Sequence, residues 1–492
     1  FTRTSKAYLS DGTEVPAGQP RFEDGKFGQA VLVEEGTTNL LSLEKSTGSI
    51  TTDVSSKIVV TPNDTTYSRH GGSSLKLAWN GVSGDSYAIY NVPTLSPNTT
   101  YAIELWAYAE QTIYLDLRRI ALQEVSGSWR VVASCGTSIV QISANTWTRL
   151  TATGTTSSDL SNPCGIILRP ACDANGNPVA TPVWYDCIKL EQKSYVTSWI
   201  PGGTTRSPET LTIPTAGVLN SSAFTIEMWI KQSIVTTSAF WHGARLLDLG
   251  DGLWLWNYSP AWPDPEYGDA SNARRIIADF GKDASGVRQY LDLCSSTRFS
   301  TTNFEYFAVT FDGATFRFYR NGSLWGSKTP SKINPFTQIV LGDAGWVIDD
   351  LRISNRARTD AEILSAYQSN QPLPIDENTT YALRFDNSLK VGRGGYRRNK
   401  IYLQSLGTCQ GSHIEWSAEI PTNTTAKVYT SLDDVNFTEA VNGAAIEGLS
   451  EGVSLSDKAL TIKQTMTTED VSITPKFNRL QYSIDGKVYL RG

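Results

Sequence analysis

Histidine and charged residues are scarce in this sequence. Its 492 residues include three histidines, His70, His242 and His413, which stand far apart along the chain, and charged residues make up 19%. A catalytic triad built on histidine therefore has few residues to draw on. The formal net charge is −6, whereas phosphate binding needs a basic field. We expect neither a histidine-dependent hydrolase nor a nucleic-acid partner.

Long apolar runs and paired cysteine motifs are also missing. No apolar run reaches the ~18 residues that span a bilayer, so we expect no membrane insertion. The six cysteines include no Cys-x-x-Cys, which argues against a structural zinc site. They are either buried free thiols in a reducing cytoplasm or include a disulfide such as Cys164–Cys172. The start, Phe1-Thr-Arg, has neither an initiator Met nor an apolar signal core, so we expect a processed or incompletely represented N-terminus.

Alternation of apolar and polar residues, interrupted by polar turns, dominates the chain instead. The stretch Tyr101-Ala-Ile-Glu-Leu-Trp106 is nearly repeated as Phe224-Thr-Ile-Glu-Met-Trp229. In each copy the first aromatic residue, the Ile and the Leu or Met fall on one face of an extended strand, and the Glu and Trp fall on the other. This period of two predicts β-strands. Two such strands at this separation suit consecutive β-sandwich domains.

The predicted fold class is all-β, with tandem jelly-roll or β-sandwich domains. We place an N-terminal arm for attachment or assembly at residues 1–40, a first sandwich at 41–200, a second at 207–370 and a small C-terminal β-sandwich at 376–492. One short helix is predicted after the second sandwich, because Thr359-Asp-Ala-Glu362 is a capping box. Gln371-Pro-Leu-Pro374 forms the predicted linker before the C-terminal unit.

Motifs in the two larger units resemble known families. Residues 41–200 resemble a carbohydrate-binding module of the galactose-binding-like jelly-roll type, through Gly72-Ser-Ser-Leu-Lys76, Thr146-Trp-Thr-Arg-Leu150 and Trp184-Tyr-Asp-Cys-Ile-Lys-Leu-Glu191. Residues 207–370 resemble a concanavalin A-like, laminin-G-like sandwich, through Phe224–Trp229, Phe307–Gly313, Phe316–Gly322 and Val347–Ile353. These resemblances imply glycan-binding modules.

The arm carries a third resemblance. The segment from Arg21 to Glu35, followed by Thr37-Thr-Asn-Leu-Leu41, resembles the segment before binding modules in bacteriophage tail proteins. It implies a virion structural protein of a tail, baseplate or fibre appendage, made in the host cytoplasm and exposed on the particle. The implied partners are a bacterial surface glycan, other virion proteins and further copies of the chain. Two alternatives stay open: a purely structural protein that decorates or braces the virion without glycan binding, or the accessory binding region of a secreted glycanase.

An enzyme is the further possibility, because the concanavalin-like fold also hosts glucanases. The catalytic strand of those glucanases carries Glu-x-Asp-x-x-Glu, which spaces two carboxylates along one face for the acid and nucleophile roles. No Glu in this sequence is followed two places on by Asp. We therefore expect no enzymatic activity.

Candidate glycan-binding residues lie in an aromatic segment of the second sandwich. Flat rings stack on the apolar faces of sugars, and carboxylates or amides accept hydrogens from sugar hydroxyl groups. The alternative is that this loop packs its aromatic residues onto the sandwich or into a subunit contact. The candidate rings are Tyr258, Trp262 and Tyr267, and the candidate polar residues are Asn257, Asp264 and Glu266.

Charged residues suggest two further candidate sites. The basic segment from Gly392 to Lys400 could clamp an acidic glycan, a phosphate polymer or an acidic neighbouring subunit through Arg393, Arg397, Arg398 and Lys400, or could be a solvated hairpin. Asp186 and Asp349 share a strand face with apolar residues, where a carboxylate must be paired or bound. They either hold structural Ca2+, the one cofactor considered, or accept hydrogen bonds from loop amides.

Overall fold

A computed structural model describes the chain over residues 1–9, 13–48, 55–124, 130–160, 163–233, 244–258, 275–294, 299–342, 345–385 and 389–487. The fold is nearly all-β, as predicted, with several sandwich-type sheets and two short helices. The sequence predicted one helix. The additional one is the single turn Leu43–Ser46, in which Ser46 and Thr47 donate side-chain hydrogen bonds to the carbonyl of Leu43.

The N-terminal arm forms short strands that are built into the rest of the molecule. Strand β4 pairs with the closing strand of the second sandwich, Val31 opposite Ile348. Arg21, 1% exposed, binds Glu34 and Glu209, and Arg206 binds Glu34 at 2.9 Å. This buried ionic cluster ties the arm to the start of the second sandwich. The arm strands are β1 Ala7–Tyr8, β2 Glu14–Val15, β3 Arg21–Asp24, β4 Gln29–Val33 and β5 Thr37–Thr38.

The first sandwich packs a five-stranded sheet, in the order β14-β9-β16-β7-β6, against a four-stranded sheet, in the order β12-β11-β15-β8. Both sheets are antiparallel, and their facing side chains form one apolar core. The elements are α1 Leu43–Ser46, β6 Ile58–Asp64, β7 Ser74–Trp79, β8 Ala88–Asn91, β9 Thr100–Tyr108, β10 Ile113–Asp116, β11 Ala121–Glu124, β12 Arg130–Ser134, β13 Ile139–Ile142, β14 Thr148–Thr155, β15 Cys164–Leu168 and β16 Val183–Glu191.

The second sandwich packs a six-stranded sheet against a larger one that contains β26-β25-β24-β19-β28. The elements are β17 Thr205–Arg206, β18 Leu211–Ile213, β19 Phe224–Gln232, β20 Ala244–Asp248, β21 Trp254–Tyr258, β22 Arg275–Lys282, β23 Arg288–Cys294, β24 Glu305–Phe311, β25 Phe316–Arg320, β26 Ser323–Lys328, β27 Ile339–Leu341, β28 Trp346–Ser354 and α2 Asp360–Ser369. The capping box predicted for the helix is present at Thr359 and Glu362.

The larger sheet continues across the predicted linker into the C-terminal region. Strand β29 pairs with β28, Leu383 opposite Leu351, and β30 then pairs with both β29 and β34. A small core under the last strands includes Ile414, Val428 and Leu460. The elements are β29 Thr379–Phe385, β30 Leu389–Tyr402, a 3-10 turn Gln404–Leu406, β31 Thr408–Glu419, β32 Thr424–Ser431, β33 Thr438–Glu439, β34 Ala459–Thr468 and β35 Lys476–Lys487.

The described cysteines are free thiols: Cys135, Cys164, Cys172, Cys187 and Cys409. The alternative disulfide between Cys164 and Cys172 is therefore not formed. Burial raises the pKa of the Cys172 thiol to about 11, so this group stays protonated near neutral pH. No helix within the described ranges is long and apolar enough to cross a membrane.

Candidate functional site

The two repeated strands, β9 and β19, lie at equivalent places in the two sandwiches, because each has a neighbouring strand on both sides and one of these is the closing strand; we call them the central strands. Their inner residues are buried in separate cores, Ile103 and Leu105 in the first and Ile226 and Met228 in the second. Their outer glutamates are buried as well: Glu104 is 1% exposed and Glu227 is 0% exposed. A buried carboxylate must be paired, so each sandwich needs a cation on this outer face.

The closing strand of each sandwich supplies that cation. Arg352 of β28 contacts Glu227 at 2.8 Å, and Tyr306 donates its hydroxyl to the same carboxylate at 2.5 Å. Burial disfavours the charged guanidinium, but Glu227 outweighs it and raises the pKa of Arg352. In the first sandwich, Lys189 of β16 lies 3.3 Å from Glu104, and Arg149 of the neighbouring strand β14 lies closer, at 2.7 Å.

The same closing strands carry the two aspartates that the sequence singled out. Asp186 accepts hydrogen bonds from the backbone amides of Arg69 at 2.7 Å and His70 at 3.0 Å, and Asp349 accepts one from Phe27 at 2.9 Å. Burial raises the pKa of Asp186 to about 6, against the opposing effect of these amides. Each aspartate precedes a residue with positive φ, Cys187 at 51° and Asp350 at 48°.

These contacts are the ones that the amide-accepting alternative expects. An N–H donor points its hydrogen at the carboxylate, whereas Ca2+ needs six to eight oxygen ligands. Within the described residues, no group of three or more His, Cys, Asp and Glu could hold a metal ion. The structural calcium considered for Asp186 and Asp349 stays untested.

The aromatic segment considered for glycan binding lies mostly outside the described residues. Asn257 and Tyr258 end strand β21, opposite Ile276 and Arg275 of β22. Trp262, Asp264, Glu266 and Tyr267 fall in the undescribed range 259–274. The glycan-binding roles considered for these six residues therefore remain predictions.

The basic segment is part of a long strand. Arg393, Arg397, Arg398 and Lys400 all lie on β30 and are exposed. Because side chains alternate along a strand, Arg397 faces away from Arg398 and Lys400. The latter two contact Asp434, with Lys400 at 3.4 Å. The structure therefore divides these cations between two faces instead of gathering them into one clamp.

A pocket on the outer face of the second sandwich has a different composition. Its volume is about 490 Å3, within the ~300–1,000 Å3 range of small-molecule sites. It lies where the second tryptophan of the repeat, Trp229, meets the C-terminal end of helix α2. We call it the outer pocket, and its lining residues are Lys26, Trp229, Ser300, Asn303, Phe304, Glu305, Asn321, Tyr367, Gln368 and Asn370.

Aromatic rings form the base and one wall of the outer pocket. Trp229 is 2% exposed and stacks on Tyr367, with ring centroids 5.9 Å apart. The ammonium of Lys26 lies 4.8 Å from the centre of the Trp229 ring. Tyr367 and Phe304 are half-buried, so their rings are partly open to solvent. Helix α2 presents Tyr367 and Gln368 because its capping box fixes where it begins.

Amide side chains form the opposite wall of the outer pocket. Asn303, Gln368 and Asn370 are exposed, and none of them makes a side-chain hydrogen bond within the described part of the chain. The carboxylate Glu305 is instead engaged, by Arg320 at 2.8 Å and by the amide of Ser300 at 2.6 Å. The pocket thus offers uncommitted amides beside aromatic rings.

A second cavity, of about 480 Å3, lies between the two sandwiches beneath the arm. It is lined from the first sandwich by Trp106 and Arg149 and from the second by Lys231, and the arm contributes Glu23. Here the guanidinium of Arg69 lies 3.5 Å from the centre of the Trp106 ring, so one ring face is already covered. We call this cavity the inter-module cleft.

Sequence reasoning missed the outer pocket as a site. The signal that could have indicated it was Trp229, a large apolar residue on the outer face of the repeated strand. Tyr367 lies on the helix that the capping box predicted, and that motif gives no indication of a binding site. Asn303 and Phe304 lie far from both in sequence, and no local pattern connects them.

Comparison with known proteins supports the assignment of the second sandwich. Residues 206–364 match a family model described as the Concanavalin A-like lectin/glucanases superfamily. This part of the chain is a concanavalin A-like domain. No curated protein matches the chain.

Several solved structures are similar at low sequence identity. A putative carbohydrate binding protein from Bacteroides ovatus is 11% identical, with 92% of this chain and 97% of that chain covered and a TM-score of 0.24. The receptor binding domain of botulinum neurotoxin type G is 14% identical, with 39% and 52% covered and a TM-score of 0.23. Domain 4 of a GH43 extracellular arabinanase from Geobacillus stearothermophilus, solved with arabinotriose, is 17% identical, with 32% and 72% covered and a TM-score of 0.23.

The extent of these similarities limits what they imply. The chain spans 45% of the binding domain of Paraclostridial Mosquitocidal Protein 1, and about half of the neurotoxin domain. TM-scores this low carry no argument about the ligand of this protein. None of these matches indicates a bacteriophage tail protein.

Proposed function

We propose that this protein is a non-enzymatic carbohydrate-binding protein and that the outer pocket of its concanavalin A-like domain is a sugar site. The observation that carries the proposal is the pairing of half-exposed rings, Tyr367 and Phe304, with the uncommitted amides of Asn303, Gln368 and Asn370. A sugar ring presents an apolar C–H face and a rim of hydroxyl groups. This pocket offers a complement to both.

The amide groups suit hydroxyl ligands in particular. Each amide donates through its NH2 group and accepts through its carbonyl oxygen, and each sugar hydroxyl also does both. Asn303 and Gln368 approach the pocket from different elements, the loop before β24 and the end of helix α2. Hydroxyl groups on two sides of one sugar ring could therefore be bound at once.

Charge in the outer pocket narrows the class of sugar. Lys26 makes no ion pair within the described residues, whereas Glu305 is paired with Arg320. The uncompensated charge is therefore positive. This arrangement favours neutral sugars or sugars with a carboxylate over cationic amino sugars.

The absence of enzymatic activity is part of the same proposal. Glycoside hydrolysis uses two carboxyl groups that flank the scissile bond, ~5–9.5 Å apart. Among the described lining residues of the outer pocket there is one carboxylate, Glu305, and Arg320 and Asn321 hold it. This composition supports binding without cleavage.

The biological setting in this proposal is adhesion of a phage particle to a bacterial surface glycan. It rests on the resemblance of the arm segment Arg21–Leu41 alone. Single sugar contacts are weak, so adhesion would need several copies of the site on one particle. The competing setting is a structural protein whose pockets stay empty.

A glycan array probed with four purified forms tests the sugar site. The wild-type protein is compared with Tyr367→Ala and Gln368→Ala, and with the control Tyr402→Ala, which removes an aromatic ring that is 66% exposed on the C-terminal region. We expect the two pocket variants to bind the selected glycan at least tenfold more weakly, a loss of ~1.4 kcal/mol or more. The control should bind like the wild type.

Three results would contradict the proposal in whole or in part. Equal binding by the wild type and both pocket variants would place the sugar elsewhere, and a wild type that binds no glycan would remove the function. Release of reducing ends from the bound glycan would show that the non-enzymatic part is wrong. Circular dichroism of each variant separates lost binding from lost folding.

A further inference from the structure

The last described strand of the chain is long and open. Strand β35, Lys476–Lys487, has twelve residues, whereas strands usually have ~5–6. Within the described residues it pairs with β31 alone, so its other edge presents unpaired backbone amides and carbonyls. Most of its side chains are exposed. An exposed edge of this length is a ready template for another strand.

The middle of β35 is also regular. Residues 479–485 pair one to one with residues 411–417 of β31, and the register shifts lie outside this stretch. Bulges and prolines are the usual means by which an edge strand is blocked. The segment Arg479–Asp485 contains no proline, and its pairing with β31 shows no bulge. Its backbone is therefore shaped to accept a partner strand.

The sequence of this segment is complementary to itself when read in the opposite direction. In an antiparallel pair centred on Tyr482, Arg479 of each copy lies opposite Asp485 of the other. Leu480 lies opposite Ile484, Gln481 opposite Ser483, and Tyr482 opposite Tyr482. Opposed residues in an antiparallel pair share one face, so the ionic pairs fall on one face and the apolar and aromatic pairs on the other.

The side chains in question are free to make these pairs. The Arg479 side chain is 63% exposed, and its contact with Glu415, at 3.6 Å, is a weak surface pair. Asp485 is exposed and makes no ion pair within the described part of the chain. Leu480 and Ile484 are half-buried against the small C-terminal core, so pairing would extend that apolar face.

We propose that β35 is a dimerisation edge at which a second copy of this chain pairs antiparallel about a two-fold axis through Tyr482. Such an interface is isologous: the same surface serves both copies, and it closes without forming a filament. A dimer formed through this interface would carry two outer pockets, one in each copy. The proposal stands independently of sugar binding, because no residue of β35 lines the outer pocket.

Charge reversal on the full-length protein tests the register directly. Arg479→Asp places two aspartates opposite each other at both ends of the pair, and Asp485→Arg places two arginines opposite each other. We expect the wild type to dimerise in analytical ultracentrifugation and each single variant to have a dimer dissociation constant at least tenfold higher. The control Lys427→Ala, an exposed cation on another strand, should dimerise like the wild type.

Mixing the variants separates this proposal from a general charge effect. A mixture of Arg479→Asp with Asp485→Arg restores opposite charges at both ends, so it should form a heterodimer with a dissociation constant at least tenfold lower than that of either variant alone. The double variant Arg479→Asp/Asp485→Arg should recover the homodimer. A monomeric wild type, single variants that dimerise normally, or a mixture that stays monomeric would each overturn the proposal. Binding of an unrelated protein strand to β35 with a monomeric wild type would overturn it as well.

Discussion

The two sandwiches share one outer-face design but differ in what covers their repeated tryptophan. In both, a buried glutamate on the central strand binds a cation from the closing strand, Glu104 with Lys189 and Glu227 with Arg352. In both, an aspartate on the closing strand, Asp186 or Asp349, accepts a hydrogen bond from a backbone amide of a neighbouring loop. In the first sandwich Arg69 covers Trp106. In the second, helix α2 lies beside Trp229.

This difference separates the features that both sandwiches need for folding from the features that only the second sandwich has. The glutamate, the cation and the aspartate recur because two sheets of this kind must solve the same burial problem. Helix α2 and the loop before β24 lie beside the repeated strand of the second sandwich only, and they bring Gln368 and Asn303 to the edge of Trp229. The proposed sugar site therefore lies on elements that are added to a common scaffold.

Removal of the buried glutamates should give the largest loss of stability and the clearest difference between the two sandwiches. Glu227→Ala leaves Arg352, 2% exposed in its side chain, and Arg358, 5% exposed, without their shared carboxylate. Loss of one partner of a buried pair costs ~3–5 kcal/mol. Glu104→Ala should cost less, because Lys189 keeps Glu191 at 2.8 Å and the other cation at Glu104, Arg149, is 43% exposed in its side chain. Urea denaturation of both variants measures the difference.

The control for this pair is Glu439→Ala, which removes an exposed contact with Lys427. Its free energy of unfolding should stay within ~0.5 kcal/mol of the wild type. Equal losses for the Glu227 and Glu104 variants would show that the two networks are not organised as the structure indicates.

Protonation of Asp186, the buried aspartate of the first sandwich, should contribute to the pH dependence of the free energy of unfolding. The pKa of Asp186 rises from 3.8 to about 6 because the group is buried. A carboxyl group whose pKa is higher in the folded state binds its proton more tightly there. Its contribution is complete below about pH 4 and is lost as pH rises through about 6, up to ~3 kcal/mol in total.

Asp186→Asn tests this linkage. The variant is expected to be less stable overall, because its NH2 group meets the amide donors of Arg69 and His70. Its free energy of unfolding should nevertheless fall less steeply than that of the wild type between about pH 4 and about pH 7. Denaturation curves at several pH values give both slopes, and identical slopes would contradict the assignment of this proton to Asp186.

Removal of the N-terminal cap of helix α2, which only the second sandwich has, should give the smallest loss of stability among these variants. Thr359→Ala removes the side-chain acceptor for the amide of Glu362 and should cost ~1 kcal/mol. Because this helix holds Tyr367 and Gln368, sugar affinity should fall modestly as well. Thermal unfolding and the glycan titration measure the two effects, and a change in neither would separate the cap from the outer pocket.

The sequence predicted the strands well because their signal is local. Alternation placed Tyr101–Trp106 and Phe224–Trp229 on central strands with the correct inner faces, and the capping box placed helix α2. The burial of Glu104 and Glu227 could not be predicted, since their cations come from strands that follow 45 or more residues later in the chain. Likewise, the linker residues gave no indication that β29 would extend the second sandwich.

The outer pocket was hidden for a related reason. Its lysine comes from the arm, and its rings and amides come from the central strand, the loop before β24 and the region of helix α2, which meet only in the folded molecule. The aromatic segment around Trp262 gave a stronger sequence signal because its residues are adjacent. A segment that is rich in aromatic residues is easily seen in the sequence, whereas side chains that meet only in the folded protein are not.

A crystal structure of the protein with an oligosaccharide selected on the glycan array tests the central claim most directly. The account predicts a sugar ring in the outer pocket, against Tyr367 and Phe304, with its hydroxyl groups bonded to Asn303 and Gln368. A sugar bound at Trp262 and Tyr267, or in the inter-module cleft, with the outer pocket empty would contradict it.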